Sequence, residues 1–459
     1  MKNTIVFYGA YDTAIQKKTV EVLSELLLDY TGGYPAFYKV GSKVDATDFK
    51  AIYIGTKKDN FYINENSTAT LTKPEEYAIK IENDVVIIEG FDDAGVLYGV
   101  VDFYNKYLVD IQYINCAPYS EKLPDFTLQS APAIKNRGLW TWGHEIYDYK
   151  GYIDNMVKLK MNTLVMWNEF LPINAKQVYE YANGANVKIV WGYSWLYNFN
   201  KPVELDNLDS KIDGIIEEFE SCYSDICSGG IYFQTFTESN EESFFGVDIA
   251  KTATDFVNKV SSKIFEKYPN LELQFGLHAT SVKNKLEIIK GVDKRVRIVW
   301  EDCGAFPFTY QPNAIAGFDD TVEFIKNVAT LRGADDKFGV VTKGFCCLDW
   351  KNFVHHTGPY NIGVSTKKTK EKKYLKQENV WRWVQSFWTT NKDKVKTMLK
   401  TMSDIKGGDM YCTALVEAGL FEDKLNFSVA LYGEIMWNLN VDLEYEYNLI
   451  TLRNYIEFA

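Results

Sequence analysis

The sequence has few of the residues that metal and covalent chemistry require. Only four histidines occur in 459 residues. There is also no His-Glu-x2-His helix, no Gly-x-Ser-x-Gly elbow and no Gly-x4-Gly-Lys-Ser/Thr phosphate loop. His355 and His356 are adjacent, and neighbouring side chains on a loop or strand point apart, so we expect two solvated histidines rather than metal ligands. The sequence therefore predicts no metal and no cofactor.

Disulfides, membrane spans and basic surfaces are also missing. The seven cysteines are an odd number, scattered without a disulfide-type spacing, and we expect reduced thiols. No apolar run is long enough to span a membrane, and polar residues interrupt the opening MKNTIVFYGAYDTA. A net charge of −12 repels nucleic acid and anionic membranes. We expect a cytoplasmic protein with neither as a partner; whether it forms a homo-oligomer stays open.

What the chain does have is enough apolar residues, 46%, for two domains. Residues 1–130 alternate between strand and helix patterns. A strand is predicted at Thr4 to Tyr8 and a helix at Ile15 to Tyr30. Two alternating strands meet at Asn83-Asp84 as a hairpin, and a helix follows Asp92-Asp93. We expect a small α/β domain, followed by a proline-marked linker.

Residues 131–459 repeat a short strand and a helix of about 12 to 18 residues, as parallel βα units do. Eight strands are predicted, at Asn136–Trp142, Thr163–Trp167, Lys188–Trp191, Gly230–Phe236, Glu272–Leu277, Arg297–Trp300, Gly339–Cys346 and Met410–Val416. Eight units favour a closed barrel over an open sheet. The predicted fold class is α/β: a (β/α)8 TIM barrel after a small α/β domain.

Lysines crowd the stretch STKKTKEKKYLKQ between the seventh and eighth strands. A solvated loop and helix start explains such a run best, and a lid near the barrel mouth is the functional alternative.

Active sites of such barrels lie at the carboxyl ends of the strands, which reduces the 62 acidic residues to a few candidates. The acids in those positions are Glu169, Glu238, Glu301, Asp302, Asp349 and Glu417. Tryptophans stand beside them: Trp140, Trp142, Trp167, Trp191, Trp195, Trp300 and Trp350. Paired carboxylates cleave glycosidic bonds, and aromatic faces bind sugar rings. The pattern therefore predicts a carbohydrate substrate, although any one of these acids could instead cap a helix or form a salt bridge.

The segment EEYAIKIENDVVIIEGFDDAGVLYGVVDFYNKYL resembles the accessory domain before the barrel in family 20 hexosaminidases and family 67 α-glucuronidases. Five residues carry the likeness: Gly90, Gly95, Leu97, Tyr98 and Gly99. The barrel opening NRGLWTWGH and the stretch YIDNMVKLKMNTLVMW are similar to the start of that barrel. The resemblance implies a hexosaminidase-like or α-glucuronidase-like accessory domain and a glycosidase barrel.

The resemblance also implies roles for single residues. Arg137 matches an arginine that binds hydroxyls of the terminal sugar, with a barrel-mouth salt bridge as the alternative. Glu238 matches the general acid, but Thr237 stands where family 20 has the aspartate that orients an acetamido group. Family 67 has Ser-Glu there, which is closer to Thr237-Glu238. Glu417 matches a hydroxyl ligand of family 20.

The second carboxylate is Glu301, Asp302 or Asp349, in the region where family 67 recruits an acid. We expect a glycoside hydrolase acting on a terminal uronic acid or amino sugar of an oligosaccharide or glycoside. Retention or inversion depends on the carboxylate separation and stays open. Two alternatives are a carbohydrate-binding barrel without catalysis and a barrel enzyme on phosphorylated metabolites, for which the chain offers no Gly-rich phosphate site.

Overall fold

The computed structural model of the protein contains a six-stranded sheet and a closed eight-stranded barrel. The structure describes residues 4–110, 123–195, 207–236, 241–244, 246–278, 281–302, 317–345, 355–416, 422 and 425–457. A closed barrel preceded by a separate sheet confirms the predicted fold class.

The first sheet is open and mixed. Its strands are β1 (Thr4–Tyr8), β2 (Ala36–Lys39), β3 (Lys50–Gly55), β4 (Tyr77–Glu82), β5 (Val85–Gly90) and β6 (Phe126–Ser130). Its helices are α1 (Ala14–Thr31), α2 (Phe61–Asn66) and α3 (Asp93–Asp102), the last continuing as a π-helix over Phe103–Val109. The strand order is β2-β1-β3-β5-β4-β6. β4 and β6 are antiparallel to their neighbours, and the other strands are parallel.

Side-chain caps fix the starts of two of these helices, and a tight turn joins two of the strands. The side chain of Thr13 accepts a hydrogen bond from the backbone of Gln16, and Gln16 reaches back, so α1 starts with a capping box. The side chain of Asp92 accepts a hydrogen bond from the backbone N–H of Gly95 and so caps α3. Between β4 and β5, Asn83 and Asp84 have φ angles of 52° and 63°, as a tight hairpin turn of this kind requires. The predicted hairpin is confirmed.

β6 lies where the sequence alone predicts a linker. It runs between Pro124 and Pro132 and pairs with β4 at the edge of the sheet, with Ile79 opposite Leu128. Its side chains alternate between half-buried and exposed. Proline has no backbone donor, so a strand bounded by prolines suits a sheet edge.

The rest of the chain builds the barrel. The strands are β7 (Asn136–Trp142), β8 (Thr163–Trp167), β9 (Lys188–Ser194), β10 (Gly230–Gln234), β11 (Ser243–Phe244), β12 (Val247–Asp248), β13 (Leu273–His278), β14 (Arg297–Glu301), β15 (Phe338–Phe345), β16 (Met410–Val416), β17 (Leu425–Asn426) and β18 (Ile456–Glu457). The helices are α4 (Tyr149–Lys158), α5 (Ala175–Gly184), α6 (Leu208–Glu218), α7 (Ile249–Lys267), α8 (Leu286–Ile289), α9 (Phe318–Ala329), α10 (Lys367–Lys406), α11 (Phe427–Trp437) and α12 (Leu443–Ile450). The barrel closes in the order β10-β13-β14-β15-β16-β7-β8-β9, all parallel.

α10 differs most from expectation. It runs for 40 residues, against the 12 to 18 predicted, because neither glycine nor proline interrupts residues 367–406. Thr366 caps it, so the lysine-rich stretch is its first turns. None of the helices in the described ranges has an apolar stretch that would cross a membrane.

Alternate strand residues face the barrel interior and the surrounding helices. The interior holds Trp140, Trp142, Val165, Trp167, Val190, Tyr232, Val299, Val341, Tyr411 and Leu415. The intervening residues, such as Ile189 and Trp191 on either side of Val190, join the larger core between strands and helices.

Buried charges join the first domain to the barrel. Lys160, which follows α4, lies 2.8 Å from Asp102 of α3 and 3.6 Å from Glu434 of α11. Glu434 also bonds to Arg453 at 3.0 Å and lies 3.7 Å from Lys106. Removing one member of such a network leaves an uncompensated buried charge, so the network holds the two domains in one arrangement.

Arg137, near the amino end of β7, lies in the same interface. Its Nη1 donates to Glu75 at 2.7 Å, and its guanidinium lies 4.8 Å from the ring centre of Trp437 and 5.3 Å from that of Tyr98. Only 1% of Arg137 is exposed. The amino ends of parallel strands lie on the face opposite the carboxyl ends, so the predicted sugar-binding role of Arg137 does not fit its position.

We predict that Arg137→Met lowers the free energy of unfolding by about 3–5 kcal/mol, because it leaves Glu75 charged and unpaired in the interface. The control is Lys135→Met, which breaks an exposed pair with Asp409 (3.6 Å; side chains 67% and 65% exposed) and should cost at most about 1 kcal/mol. Urea unfolding of both variants measures the difference.

The same pair has a pH signature. Burial raises the pKa of Glu75, but Arg137 and the hydrogen bond from Asn162 outweigh it and lower the pKa below 4.5. A lowered pKa stabilises the fold above the unfolded value and loses that effect as pH falls. The gap between wild type and Arg137→Met should therefore shrink below pH 4.5. A gap that is absent at pH 7 would contradict this account of the interface.

Candidate active site

Polar side chains meet inside the barrel at the carboxyl ends of its strands. Tyr232 and Gln234 come from β10, His278 ends β13, Glu301 ends β14 and Lys343 lies on β15. Their places in the strand alternation direct them inward. We call these five residues the interior cluster.

Glu301 is the centre of the interior cluster. One carboxylate oxygen accepts hydrogen bonds from the Tyr232 hydroxyl and the Gln234 amide. The other oxygen lies 2.9 Å from the Lys343 ammonium. The residue is 3% exposed, so each oxygen exchanges water for a protein partner.

The interior cluster fixes the protonation of Glu301. Burial disfavours its charge, but Lys343, His278 and the Tyr232 hydrogen bond outweigh burial and lower its pKa to about 2. Burial and the charge of Lys343 lower the pKa of His278 to about 4, although Glu301 opposes this. At neutral pH the pocket therefore holds a carboxylate, an ammonium and a neutral imidazole.

Asp302 does not join the interior cluster. Its carboxylate accepts a hydrogen bond from the backbone N–H of Lys343 at 3.1 Å, and its charge acts on Tyr432 of α11. Successive strand residues point to opposite faces, so Asp302 is directed toward the helices while Glu301 points inward. Of these two candidates, only Glu301 borders the interior.

An aromatic wall continues the interior cluster. The ring of Trp140 lies 5.1 Å from Trp142 and 6.2 Å from Trp167, in edge-on and stacked arrangements. Tyr232 lies 6.0 Å from Trp140 and 6.2 Å from Trp167. Since Tyr232 also donates to Glu301, the wall and the carboxylate adjoin each other in the barrel interior.

Three other tryptophans lie on the outer side of the strands, each with 0% exposure. Trp191 donates its indole N–H to the carbonyl of Ile226 at 2.6 Å. Trp195 stacks on Phe233 at 3.6 Å, and Trp300 packs edge-on against a phenylalanine of α9. These side chains pack in the core between the strands and the helices and not in the barrel interior, so the binding role predicted for Trp191, Trp195 and Trp300 does not fit.

A second group, the mouth cluster, surrounds Glu169 just after β8. Its carboxylate contacts the His355 ring and accepts a hydrogen bond from the backbone N–H of His356 at 2.7 Å. The His356 ring stacks on Tyr360 at 4.4 Å and lies 4.9 Å from the His144 ring. His355 and His356 are half-buried in these contacts, with 29% of the His355 side chain exposed, so they are less solvated than predicted.

Sequence reasoning missed the histidines as site residues. His144 stands two positions after β7, His278 ends β13, and His355 and His356 belong to the connection after β15. All four therefore lie at or beyond carboxyl ends of barrel strands. The strand-end criterion, applied to acids alone, would have found them if extended to histidine.

Several predicted residues fall outside the described residues: Glu238, Asp349, Trp350 and Glu417. Within the described part of the chain, no group of three or more His, Cys, Asp or Glu side chains could hold a metal ion.

No protein-family model matches the chain, and no curated protein sequence matches it significantly. Solved structures do resemble it. A β-N-acetylhexosaminidase from Bacteroides fragilis aligns with a TM-score of 0.59 and 12% identity over 100% of this chain and 93% of that one. A family GH115 4-O-methyl-α-glucuronidase specific for decorated arabinogalactans aligns at 0.58 and 12%, over 95% of this chain and 56% of that one.

A GH138 enzyme that targets pectin rhamnogalacturonan II aligns at 0.53 and 12%, over 97% of this chain and 65% of that one. The chain thus spans 56% and 65% of the length of these last two enzymes. At this identity the likeness shows the fold alone. It confirms, in fold, the predicted similarity to hexosaminidases and α-glucuronidases.

We predict that His278 stays neutral down to about pH 4 and that its pKa rises in Lys343→Met, because the variant removes the nearby positive charge. With four histidines in the chain, NMR titration of their ring signals can follow each one. The control is Lys251→Met, at an exposed side chain on α7, which should leave the His278 titration in place. A wild-type His278 that titrates near 6.5 would overturn the assignment.

Proposed function

We propose that this protein is a glycoside hydrolase that removes a terminal sugar, with Glu238 as general acid and Glu301 as second carboxylate. The observation that carries the proposal is the Tyr232 hydroxyl, which joins the aromatic wall to an ionised carboxylate in one pocket. Aromatic faces bind the apolar side of a sugar ring, and a carboxylate beside the ring stabilises the positive charge that develops during glycosidic cleavage.

Glu301 suits the second role and not the first. With a pKa of about 2 it carries no proton to donate at neutral pH, whereas a general acid needs a pKa near the working pH. The proton must then come from another residue. Glu238 follows β10, the strand that supplies both Tyr232 and Gln234, and it is the residue that matches the family acid.

The remaining candidates are proposed to bind the sugar. Trp140, Trp142 and Trp167 form the wall within the barrel interior. Glu169 lies in the mouth cluster, where its carboxylate accepts hydrogen bonds. Trp350 and Glu417 belong to segments that follow β15 and β16 and keep the roles predicted from the sequence.

A terminal uronic acid or amino sugar is the proposed substrate. Two of the similar structures are a glucuronidase and a β-N-acetylhexosaminidase, which act on these two kinds of sugar. A cytoplasmic location, predicted from the sequence, belongs to the same proposal.

The test is hydrolysis of aryl glycosides, comprising glucuronides, N-acetylglucosaminides, galactosides and glucosides, by wild type and variants. We expect one aglycone to be released by the wild type. Glu238→Gln and Glu301→Gln should each lower kcat by roughly 10²- to 10⁴-fold, the range typical of losing a catalytic proton donor or its partner.

Asp302→Asn is the matched control, because it makes the same chemical change at the neighbouring residue that faces the helices; it should keep most of the activity. Circular dichroism of each variant checks the fold. If no glycoside is cleaved and wild type and Glu238→Gln bind sugar equally, the alternative applies: a carbohydrate-binding barrel without catalysis.

A further inference from the structure

A lysine-rich surface lies beside the candidate active site. Residues 366–376 contain six lysines and one glutamate, a net charge of +5 in a chain whose net charge is −12. We call this stretch, the start of α10, the basic segment. Asp148 and Glu145 of an adjoining loop offset two of these charges, and the remaining lysines still give this surface a local excess of positive charge.

The basic segment is fixed to the barrel mouth. Just before it, Gly363 donates its backbone N–H to the carbonyl of Ile146 at 3.1 Å, and Val364 pairs with Asp148 as an antiparallel bridge. Ser365 donates its hydroxyl to the carbonyl of Tyr147 at 2.7 Å. These partners lie in the loop that follows β7, on the carboxyl face of the barrel. The helix start therefore forms part of the rim.

Two of its lysines serve this attachment. Lys370 lies 3.2 Å from Asp148, and Lys373 lies 3.8 Å from Glu145. Glu145 follows His144 of the mouth cluster, so the basic segment borders the residues around Glu169.

Three further lysines, Lys367, Lys368 and Lys372, are exposed on the same turns. Lys367 has Glu371 at 3.9 Å, a weak exposed pair. Helix energetics does not account for this placement, since the first turn of α10 has no acid and cations there oppose the helix dipole. Lysines that disfavour the start of a helix and lie at the rim of the barrel indicate a functional reason for their position.

We infer that the basic segment binds the anionic groups of an acidic polysaccharide whose terminal sugar occupies the barrel. The inference rests on the proposed glycoside hydrolase function. It adds that the part of the substrate that remains after the terminal sugar is removed carries negative charge. The occupant is a polysaccharide because the basic segment borders a pocket lined with aromatic rings and a carboxylate.

The test uses polygalacturonate and its methyl-esterified form, which share a backbone and differ in charge. Binding is measured by calorimetry with full-length protein at 50 mM and 500 mM NaCl. Wild type should prefer the acidic form, and Lys367→Gln/Lys368→Gln/Lys372→Gln should weaken its binding by roughly 3- to 100-fold, the range of three exposed ion pairs. The difference should largely disappear at high salt, because salt screens such pairs.

The matched control is Lys176→Gln/Lys259→Gln/Lys263→Gln, which removes the same charge from exposed lysines on α5 and α7 and should change the affinity less than twofold. The inference is overturned if the first triple variant binds polygalacturonate as tightly as wild type, or if both forms of the polymer bind equally. It is also overturned if a DNA oligonucleotide or phosphatidylserine vesicles bind more tightly through the same lysines. Wild-type hydrolysis of aryl glycosides is scored separately, so failure of the proposed function is distinguishable from failure of this surface.

Discussion

Closure of the barrel is the constraint from which the candidate site follows. In a closed sheet of parallel strands each side chain faces either the interior or the helices, and a neighbour in sequence takes the other side. This rule separates Glu301 from Asp302 and divides the tryptophans into an inner wall and an outer core. It also brings residues from β10, β13, β14 and β15 within hydrogen-bond or charge distance of Glu301, although Tyr232 and Glu301 are 69 positions apart along the chain.

Among the described residues, Arg137 joins the first domain to the amino end of a barrel strand, on the face opposite the candidate site. Its charges meet those of the barrel in a buried network in which Lys160 lies 2.8 Å from Asp102 and 3.6 Å from Glu434. Arg137 adds a second connection through Glu75. Such connections are strong only when every member is present. The amino ends of the strands are thereby fixed, and this leaves the carboxyl ends and their loops to carry chemistry.

Local patterns were enough to predict the barrel, because each strand is a short apolar run between turn signals; β7, β8 and β16 have the predicted ends. The same patterns failed where a choice depended on contacts distant in sequence. Arg137 was assigned to the sugar although Glu75, which pairs with it, lies 62 positions away. Trp191 and Trp300 were predicted to bind sugar because they lie near strand ends, but their side chains face the helices and not the barrel interior. The histidines were missed because the strand-end criterion was applied to acids alone.

The environment of Glu301 limits which of the two carboxylate roles this residue can take under the proposed function. A lone carboxylate in a barrel interior would take up a proton, since burial disfavours its charge. The Lys343 ammonium lies 2.9 Å from a carboxylate oxygen of Glu301 and helps to keep this residue ionised. Glu301 therefore supplies negative charge and no proton. Under the proposed function the general acid is therefore a different residue, for which we propose Glu238. Gln234 of β10 donates a hydrogen bond to Glu301 and lies four residues before Glu238 in the sequence. This bond joins the ends of β10 and β14 at the point from which the chain continues to the proposed acid.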